Sequence, residues 1–209
     1  MTTPEHSLVG IHVAFALGLH RTIGWRSVVF AALVSNIPDW DGLPMLFDMQ
    51  RFESGHRVWG HSIVSLVLTS ILLAWTQIRW DWIGGLARWG LLQFPALGSL
   101  SEKPHDSQTY GIRALLSFTC IALMSQMLHL ICDMVVSGGK GLSSWAIQPF
   151  WPFSGAAYDY PLIPWGDVGP TVILMTGIIM VAKRKELVCP ISRSTLVILL
   201  VYLMARGAF

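Results

Sequence analysis

Long apolar stretches separated by short polar turns dominate the chain, and they predict helices that cross a lipid bilayer. A helix needs about 20 mainly apolar residues to cross the hydrocarbon core, and residues 61–78 and 111–136 come near or exceed that length. Shorter stretches predict two helical pairs that must tilt or thin the bilayer to cross it. These pairs are residues 7–19 with 25–37, and residues 169–182 with 195–205. The pattern predicts an all-α, polytopic transmembrane bundle of five to six spans.

Two further regions are less regular. Residues 80–100 are apolar but interrupted by Gly84, Gly85 and Pro95, which is compatible with a re-entrant hairpin, an interfacial helix pair or a poor span. Residues 137–168 form a predicted loop rich in Gly, Pro and aromatic residues. Loops this long are usually functional or disordered, and the aromatic side chains indicate contact with the bilayer surface.

Composition supports the membrane interpretation. Only 12% of the residues are charged and 53% are hydrophobic, whereas soluble domains carry about 25% charged residues. The lipid bilayer is therefore an expected partner. A net charge of +2 gives no indication of a nucleic-acid partner. The three cysteines lack CxxC spacing, which argues against a cysteine zinc site. We find no internal repeat and expect a single domain over residues 1–209; the oligomeric state stays open.

Histidines and aspartates gather at the ends of the predicted helices. If residues 80–100 make no net crossing, these groups emerge on one side of the membrane, and most of the 14 Lys and Arg lie on the other. Basic loops favour the cytoplasm, so we expect the histidines and aspartates on the non-cytoplasmic face. The candidate metal ligands are His6, Asp39, Asp41, His56, His61, His129 and Asp133.

Spacing within these candidates suggests chemistry but leaves alternatives. His129 and Asp133 are four residues apart, so both project from one helical face, as a metal site or as a buried ion pair. Asp39 and Asp41 follow a predicted helix and are suited to hard cations, or to an Asx-rich turn beside Pro and Gly.

A second pair of histidines flanks a flexible glycine. His56 and His61 are five residues apart around Gly60 and would diverge on a continuous helix, so we expect the helix to start near His61. Arg57 suits the geometry of a phosphate group. The alternative is an interfacial loop with solvated His and Arg side chains.

Five segments, taken in order, carry a family resemblance. They are Glu5-His6-Ser7-Leu8-Val9-Gly10, Pro38-Asp39-Trp40-Asp41, His56-Arg57-Val58-Trp59-Gly60-His61-Ser62, His129 to Asp133, and Pro149-Phe150-Trp151-Pro152. Together they resemble the YdjM-like, LexA-regulated inner-membrane family of metal-dependent hydrolases. The match covers most of residues 1–152, and the C-terminal helical pair, residues 169–206, carries no motif. Glu5 and Gly60 depart from the family pattern, which has Thr at both positions.

The resemblance implies a hydrolase in the bacterial inner membrane. Its distant similarity to zinc-dependent phospholipases C suggests a phosphoester substrate, such as a phospholipid or a lipid-linked phosphate. We expect one or two divalent ions, zinc or manganese, to activate a water. Asp41 is the expected proton acceptor, and Arg57 the expected ligand of phosphate charge. The alternatives are a transporter or another non-enzymatic ion-binding membrane protein, and a structural protein whose polar ends only anchor helices.

Overall fold

The computed structural model describes residues 1–48, 50, 52, 55–86, 111–139 and 144–208. Within them the chain is a bundle of helices joined by irregular segments. The α-helices are α1 (Thr3–Ala16), α2 (Leu19–Thr22), α3 (Trp25–Val34), α4 (Ile63–Trp80), α5 (Ile112–Val135), α6 (Val168–Lys183) and α7 (Val188–Ala208). Two 3-10 helices, Ile37–Leu46 and Lys185–Leu187, precede α4 and α7.

Three segments among the described residues are long and apolar enough to cross a membrane. They are α4, α5 and Lys185–Ala208, which contains α7. Helices α3 and α6 are apolar but shorter, as the sequence predicted, whereas the predicted partner of α6, residues 195–205, lies in a segment of membrane length. The all-helical class and the membrane helices are therefore confirmed, while a total of five to six spans stays a prediction.

The structure extends the last predicted helix and describes only part of the irregular region. The last helix begins at Val188 rather than at residue 195. Pro190 does not prevent this, because it lies in the first turn, where a backbone N–H makes no hydrogen bond within the helix. In the irregular region, residues 82–86 are helical. Residues 87–100 lie outside the described part of the chain, so the proposed hairpin is not tested.

Three helices begin at the same end of the bundle with side chains that cap them. Helix α1 starts with a capping box, in which Thr2 N donates to Glu5 Oε2 at 2.8 Å. Ser62 caps α4 by accepting from Ser65 N at 3.2 Å, and Asp167 caps α6. Each cap satisfies an N–H that the first helical turn leaves without a partner. We call this end of the bundle the capped end.

Close packing of α1 on α3 fixes the position of His6. A Cβ at Gly10 would lie 2.7 Å from the carbonyl oxygen of Ala31, so only glycine permits this approach. The contact is extended by Ser35, whose Oγ donates to the carbonyl oxygen of His6 at 2.9 Å. Elsewhere α4 packs on α5, α1 on α7, and α6 on α7.

The long loop before α6 is fastened to the capped end. Ile63 N donates to the carbonyl oxygen of Pro149 at 2.9 Å, and Leu162 N donates to that of Val135 at 2.9 Å. The loop leaves aromatic side chains exposed at the ends of two membrane-length helices, Phe153 and Tyr160 among them. Aromatic residues are typical of the membrane–water interface, so this arrangement fits the sequence expectation.

Candidate metal centre

Four side chains from three parts of the chain converge at the capped end. Asp39 lies in the 3-10 helix, His61 lies two residues before α4, and His129 and Asp133 occupy the last turns of α5. One ligand atom from each lies within 4.8 Å of the others. His61, His129 and Asp133 are buried, and Asp39 is 26% exposed. We call these four residues the metal cluster.

The ligand atoms of the metal cluster lie close enough together to face a single point. The two imidazole Nε2 atoms, of His61 and His129, are 3.2 Å apart. Asp39 Oδ1 lies 3.4 Å from His129 Nε2, and Asp133 Oδ2 lies 3.5 Å from His61 Nε2. Two nitrogens and two carboxylate oxygens therefore face one space that a cation can share.

Hydrogen bonds to the Nδ1 atoms of His61 and His129 support a shared cation site. His129 Nδ1 donates to the carbonyl oxygen of Ser35 at 2.7 Å, and His61 Nδ1 donates to Asp41 Oδ2 at 2.9 Å. With the proton on Nδ1, a neutral ring presents the lone pair of Nε2 to the shared space. Metal-binding histidines are held in this way by a carboxylate or carbonyl group. The four residues fit a divalent ion with nitrogen and oxygen ligands.

Electrostatics at His61 favour a cation. Burial lowers the pKa of His61, but contacts with Asp133 and Asp41 outweigh burial and raise the pKa to about 9. The same negative charges that hold a proton on this ring attract a metal ion to it. Burial acts to raise the pKa of Asp39, but the nearby His129 lowers it overall, so this carboxylate is ionised at neutral pH.

Asp41 lies behind His61 rather than in the metal cluster. One carboxylate oxygen accepts from His61 Nδ1 and from Gly60 N at 3.0 Å, and the other lies 3.2 Å from His56 Nδ1. The side chain is fully buried. Burial acts to raise its pKa, but the hydrogen bonds from His56 and His61 lower it to about 2. Its oxygens thus face His61, Gly60 and His56 rather than the space shared by the four residues of the metal cluster, a position that differs from the metal-ligand role expected for Asp41.

His56 and His6 flank the metal cluster without joining it. His56 donates to Asp41, stacks on Phe52 and is 15% exposed. His6 stacks on His129 with ring centroids 3.7 Å apart, and its Nε2 lies 3.0 Å from Asp133 Oδ1. All seven predicted ligands thus belong to one connected network, of which four face a common point.

Arg57 is turned inward. Its Nη2 donates to Asp133 Oδ2 at 3.0 Å, and its Nη1 lies within hydrogen-bond distance of Ser137 Oγ and of the carbonyl oxygens of Asp133 and Trp145. The guanidinium is 2% exposed. It joins the end of α5 to the long loop, which differs from the expected role as a ligand of substrate phosphate.

Several contributors could not be recognised from side-chain type. Ser35 acts through its carbonyl oxygen, and the only sequence signal is a polar Ser-Asn pair that ends an apolar helix. The amino group of Met1 lies 2.5 Å from Asp133 Oδ1. Glu5 accepts from Thr171 Oγ1 at 2.6 Å and so ties α1 to α6. The Glu5 carboxylate therefore has a structural role, in which it links two helices.

A cavity of about 660 Å³ opens beside the metal cluster. Asp39, Asp133, His56 and Arg57 form its polar end. The remaining wall is mainly apolar and comes from the N-terminus, the 3-10 helix and the long loop. It includes Met1, Pro4, Leu43, Met45, Leu46, Phe52, Trp145 and Trp165. A substrate in this cavity would lie directly against the metal cluster.

Comparison with known proteins decides the family. The family described as YdjM inner membrane protein matches residues 1–209, the whole chain. The chain belongs to the YdjM inner membrane protein family. No curated protein and no solved structure matches it. The resemblance seen in the sequence is thereby confirmed, and it extends through the C-terminal helices, which carry no motif of their own.

Membership of the YdjM family supports a membrane location, in agreement with the apolar helices. It leaves the reaction open, so the activity has to be argued from the metal cluster. Gly60, which departs from the Thr of the family pattern, is explained locally. A Cβ there would lie 2.8 Å from Trp40 Cδ1 and 2.9 Å from Asp41 Cγ.

Proposed function

We propose that this protein is a membrane-embedded, metal-dependent hydrolase that acts on phosphoesters. The observation that carries the proposal is the metal cluster itself, in which two imidazole nitrogens with bonded Nδ1 atoms face two carboxylates within 4.8 Å. Its position beside a cavity of about 660 Å³ gives a substrate access. Ionisable groups within an apolar bundle are costly to bury, which favours a function for them.

The ligand set suits zinc or manganese. Two imidazoles and two carboxylates combine the nitrogen and oxygen ligands that these ions accept. The metal cluster accounts for one ion. His6 lies on the other oxygen of Asp133, which the Met1 amino group also contacts, so a second ion there would have to displace that amino group.

A divalent ion at this point supplies Lewis acidity and a water that ionises near neutral pH. The chain's own residues would orient and deprotonate that water. Asp39 is the carboxylate of the metal cluster with the greatest exposure, and it lines the cavity. We therefore propose that Asp39, rather than Asp41, accepts the proton. Asp41 holds the rings of His61 and His56 in place.

Arg57 is proposed to position Asp133. Its guanidinium donates to the carboxylate and to the main chain of that residue. By also binding Trp145, it holds the long loop over the cavity. A buried charge–charge hydrogen bond of this kind is costly to break from one side, so the loop and the metal cluster should be ordered together.

The non-enzymatic alternatives predict other observations. Transport sites tend to lie near the bilayer midplane between broken helices, whereas the metal cluster lies at the ends of α4 and α5. A transporter would carry a metal ion across liposomes without hydrolysis. A structural protein would bind no stoichiometric metal.

Hydrolysis of a chromogenic phosphodiester by full-length protein in detergent, with zinc or manganese added, tests the proposal. We expect turnover that a chelator abolishes, that metal restores, and that Asp39→Asn lowers by at least about a hundredfold. Asp159→Asn, at an exposed loop carboxylate, is the matched control and should be fully active. Stoichiometric metal with no hydrolysis of any phosphoester would contradict the enzymatic proposal.

A further inference from the structure

The 3-10 helix that carries Asp39 exposes an unusually apolar edge. Leu43, Met45, Leu46 and Phe47 are exposed, with Leu46 at 74% and Phe47 at 90%. The segment lies outside the membrane-length helices. If water surrounded it, an exposed apolar run of this kind would be unfavourable. We call residues 43–47 the apolar lip.

The apolar lip lies at the capped end of the bundle, at the level where α4 begins and α5 ends. Its helix precedes α4, and Asp39 from the same helix meets His129 near the end of α5. The long loop, fastened to the ends of α4 and α5, exposes aromatic side chains at this level. Short apolar segments beside aromatic residues insert into the boundary between headgroups and acyl chains. The lip is thus placed to contact lipid rather than water.

The lip also forms part of the cavity beside the metal cluster. Leu43, Met45 and Leu46 line that cavity together with Trp145 and Trp165 of the long loop. Phe47 does not line it and instead borders a separate depression with Trp40 and Trp59. The exposed lip and the polar end therefore belong to the wall of one cavity.

We propose that this cavity is a phospholipid site entered sideways from the bilayer, with an acyl chain between the apolar lip and Trp145 and Trp165. The phosphate of the same lipid would then lie at the polar end, against the metal cluster. This inference deepens the proposed function and rests on it for the chemistry. Occupancy by lipid depends only on the shape and polarity of the cavity.

A phospholipid fits better than the other occupants. A soluble phosphate would leave the apolar wall and the lip in contact with water, which is unfavourable. A second copy of the chain could cover the lip, but it would not explain a cavity with one polar end. An amphiphile with a charged head and an apolar tail matches both surfaces.

The test uses full-length protein in liposomes of phosphatidylethanolamine and phosphatidylglycerol that contain a phosphatidylglycerol with a photoreactive diazirine in one acyl chain. After irradiation, adducts are mapped by mass spectrometry. We expect adducts on Leu43, Met45 or Leu46 and on Trp145 or Trp165. Leu68 and Leu72, exposed on α4, report ordinary contact with surrounding lipid and serve as the internal reference.

Two variants of the lip form a matched pair. Leu46→Trp puts a larger side chain at the cavity wall and should lower adducts at Trp145 and Trp165 by at least about fivefold relative to the α4 reference. Phe47→Trp, one residue away and outside the cavity, should leave them unchanged. Long-chain phosphatidylglycerol should compete for the adducts, while glycerol phosphate, which has no acyl chain, should not.

Three outcomes would overturn the inference. They are cavity adducts insensitive to Leu46→Trp, displacement by glycerol phosphate, and crosslinks that join two copies through their lips. The mapping needs no turnover, so it separates this inference from the proposed function. Cavity adducts in a protein that hydrolyses nothing would support the lipid site and contradict the proposed hydrolase activity. Hydrolysis of soluble phosphodiesters without cavity adducts would support the hydrolase activity and contradict the lipid site.

Discussion

His61 Nε2 lies 3.2 Å from His129 Nε2, although the two residues are 68 positions apart in the chain. Each ring has its other nitrogen bonded to a fixed acceptor, Asp41 for His61 and the Ser35 carbonyl for His129. Both Nε2 atoms face the space that Asp39 and Asp133 also face, so a cation placed there would have two nitrogen ligands and two carboxylates to balance its charge.

The first prediction concerns metal content. His129→Ala removes one nitrogen ligand and leaves the other three groups too few to hold the ion tightly. We expect zinc or manganese in the purified variant to fall to less than about a tenth of the wild-type stoichiometry. Elemental analysis of protein purified in detergent measures the metal content. His20→Ala, at a histidine outside the network, should retain metal; equal loss in both variants would contradict a specific site.

A second prediction concerns the carboxylate behind the site. Asp41→Asn keeps the volume but weakens the bonds that orient His61 and His56. Because it touches no ion directly, metal should still bind, but with affinity about 10–100-fold lower. Competition with a fluorescent chelator measures the change. Complete loss of metal would instead make Asp41 a direct ligand, as the sequence alone suggested.

Sequence reasoning located the helices and the site but not the arrangement within it. Apolar runs are visible in the sequence, so α4 and α5 were predicted to within two residues. Helix ends that emerge on one side bring their polar residues together, which made the seven candidate ligands recognisable. Which of them share a point depends on side-chain direction and main-chain acceptors, such as the Ser35 carbonyl, that residue types do not reveal.

Arg57 illustrates the same limit. A guanidinium beside a histidine pair in the sequence suits a phosphate, and nothing local distinguishes that role from an internal one. Its backbone φ of 63° turns the chain between His56 and His61, and its side chain then reaches Asp133, 76 positions away. Such a long-range pair can be found only from the folded chain.

A third prediction is the pH dependence of metal affinity. Without metal, the raised pKa of about 9 keeps His61 protonated at neutral pH, and a bound ion must displace that proton. Affinity should therefore rise about tenfold per pH unit below pH 9 and level off above it. The pKa of Asp41, about 2, keeps that carboxylate ionised throughout. Chelator competition between pH 6 and pH 10 tests this, and an affinity independent of pH in that range would contradict it.

A fourth prediction uses the glycine before His61. At Gly60 a Cβ would collide with the carbonyl oxygen of Pro38 and approach Asp41 Cγ to 2.9 Å. Gly60→Ala should therefore cost about 1–3 kcal/mol of stability and reduce metal binding, because it displaces the segment that holds Asp39 and Asp41. Thermal unfolding in detergent measures the first effect. Gly155→Ala, where a Cβ would have nothing within 4 Å, is the control and should unfold like the wild type.

The last prediction is the orientation of the bundle. Arg206 Nη2 lies 3.4 Å from Asp167 Oδ2, and Asp167 caps α6 at the end that carries the metal cluster, so the end of α7 lies on the same side. Lys183, Arg184 and Lys185 form the turn at the other end, which the positive-inside rule places in the cytoplasm. Alkaline phosphatase fused after residue 209 should therefore be active, and green fluorescent protein fused there should be dark. The opposite pair of results would place the metal cluster on the cytoplasmic face.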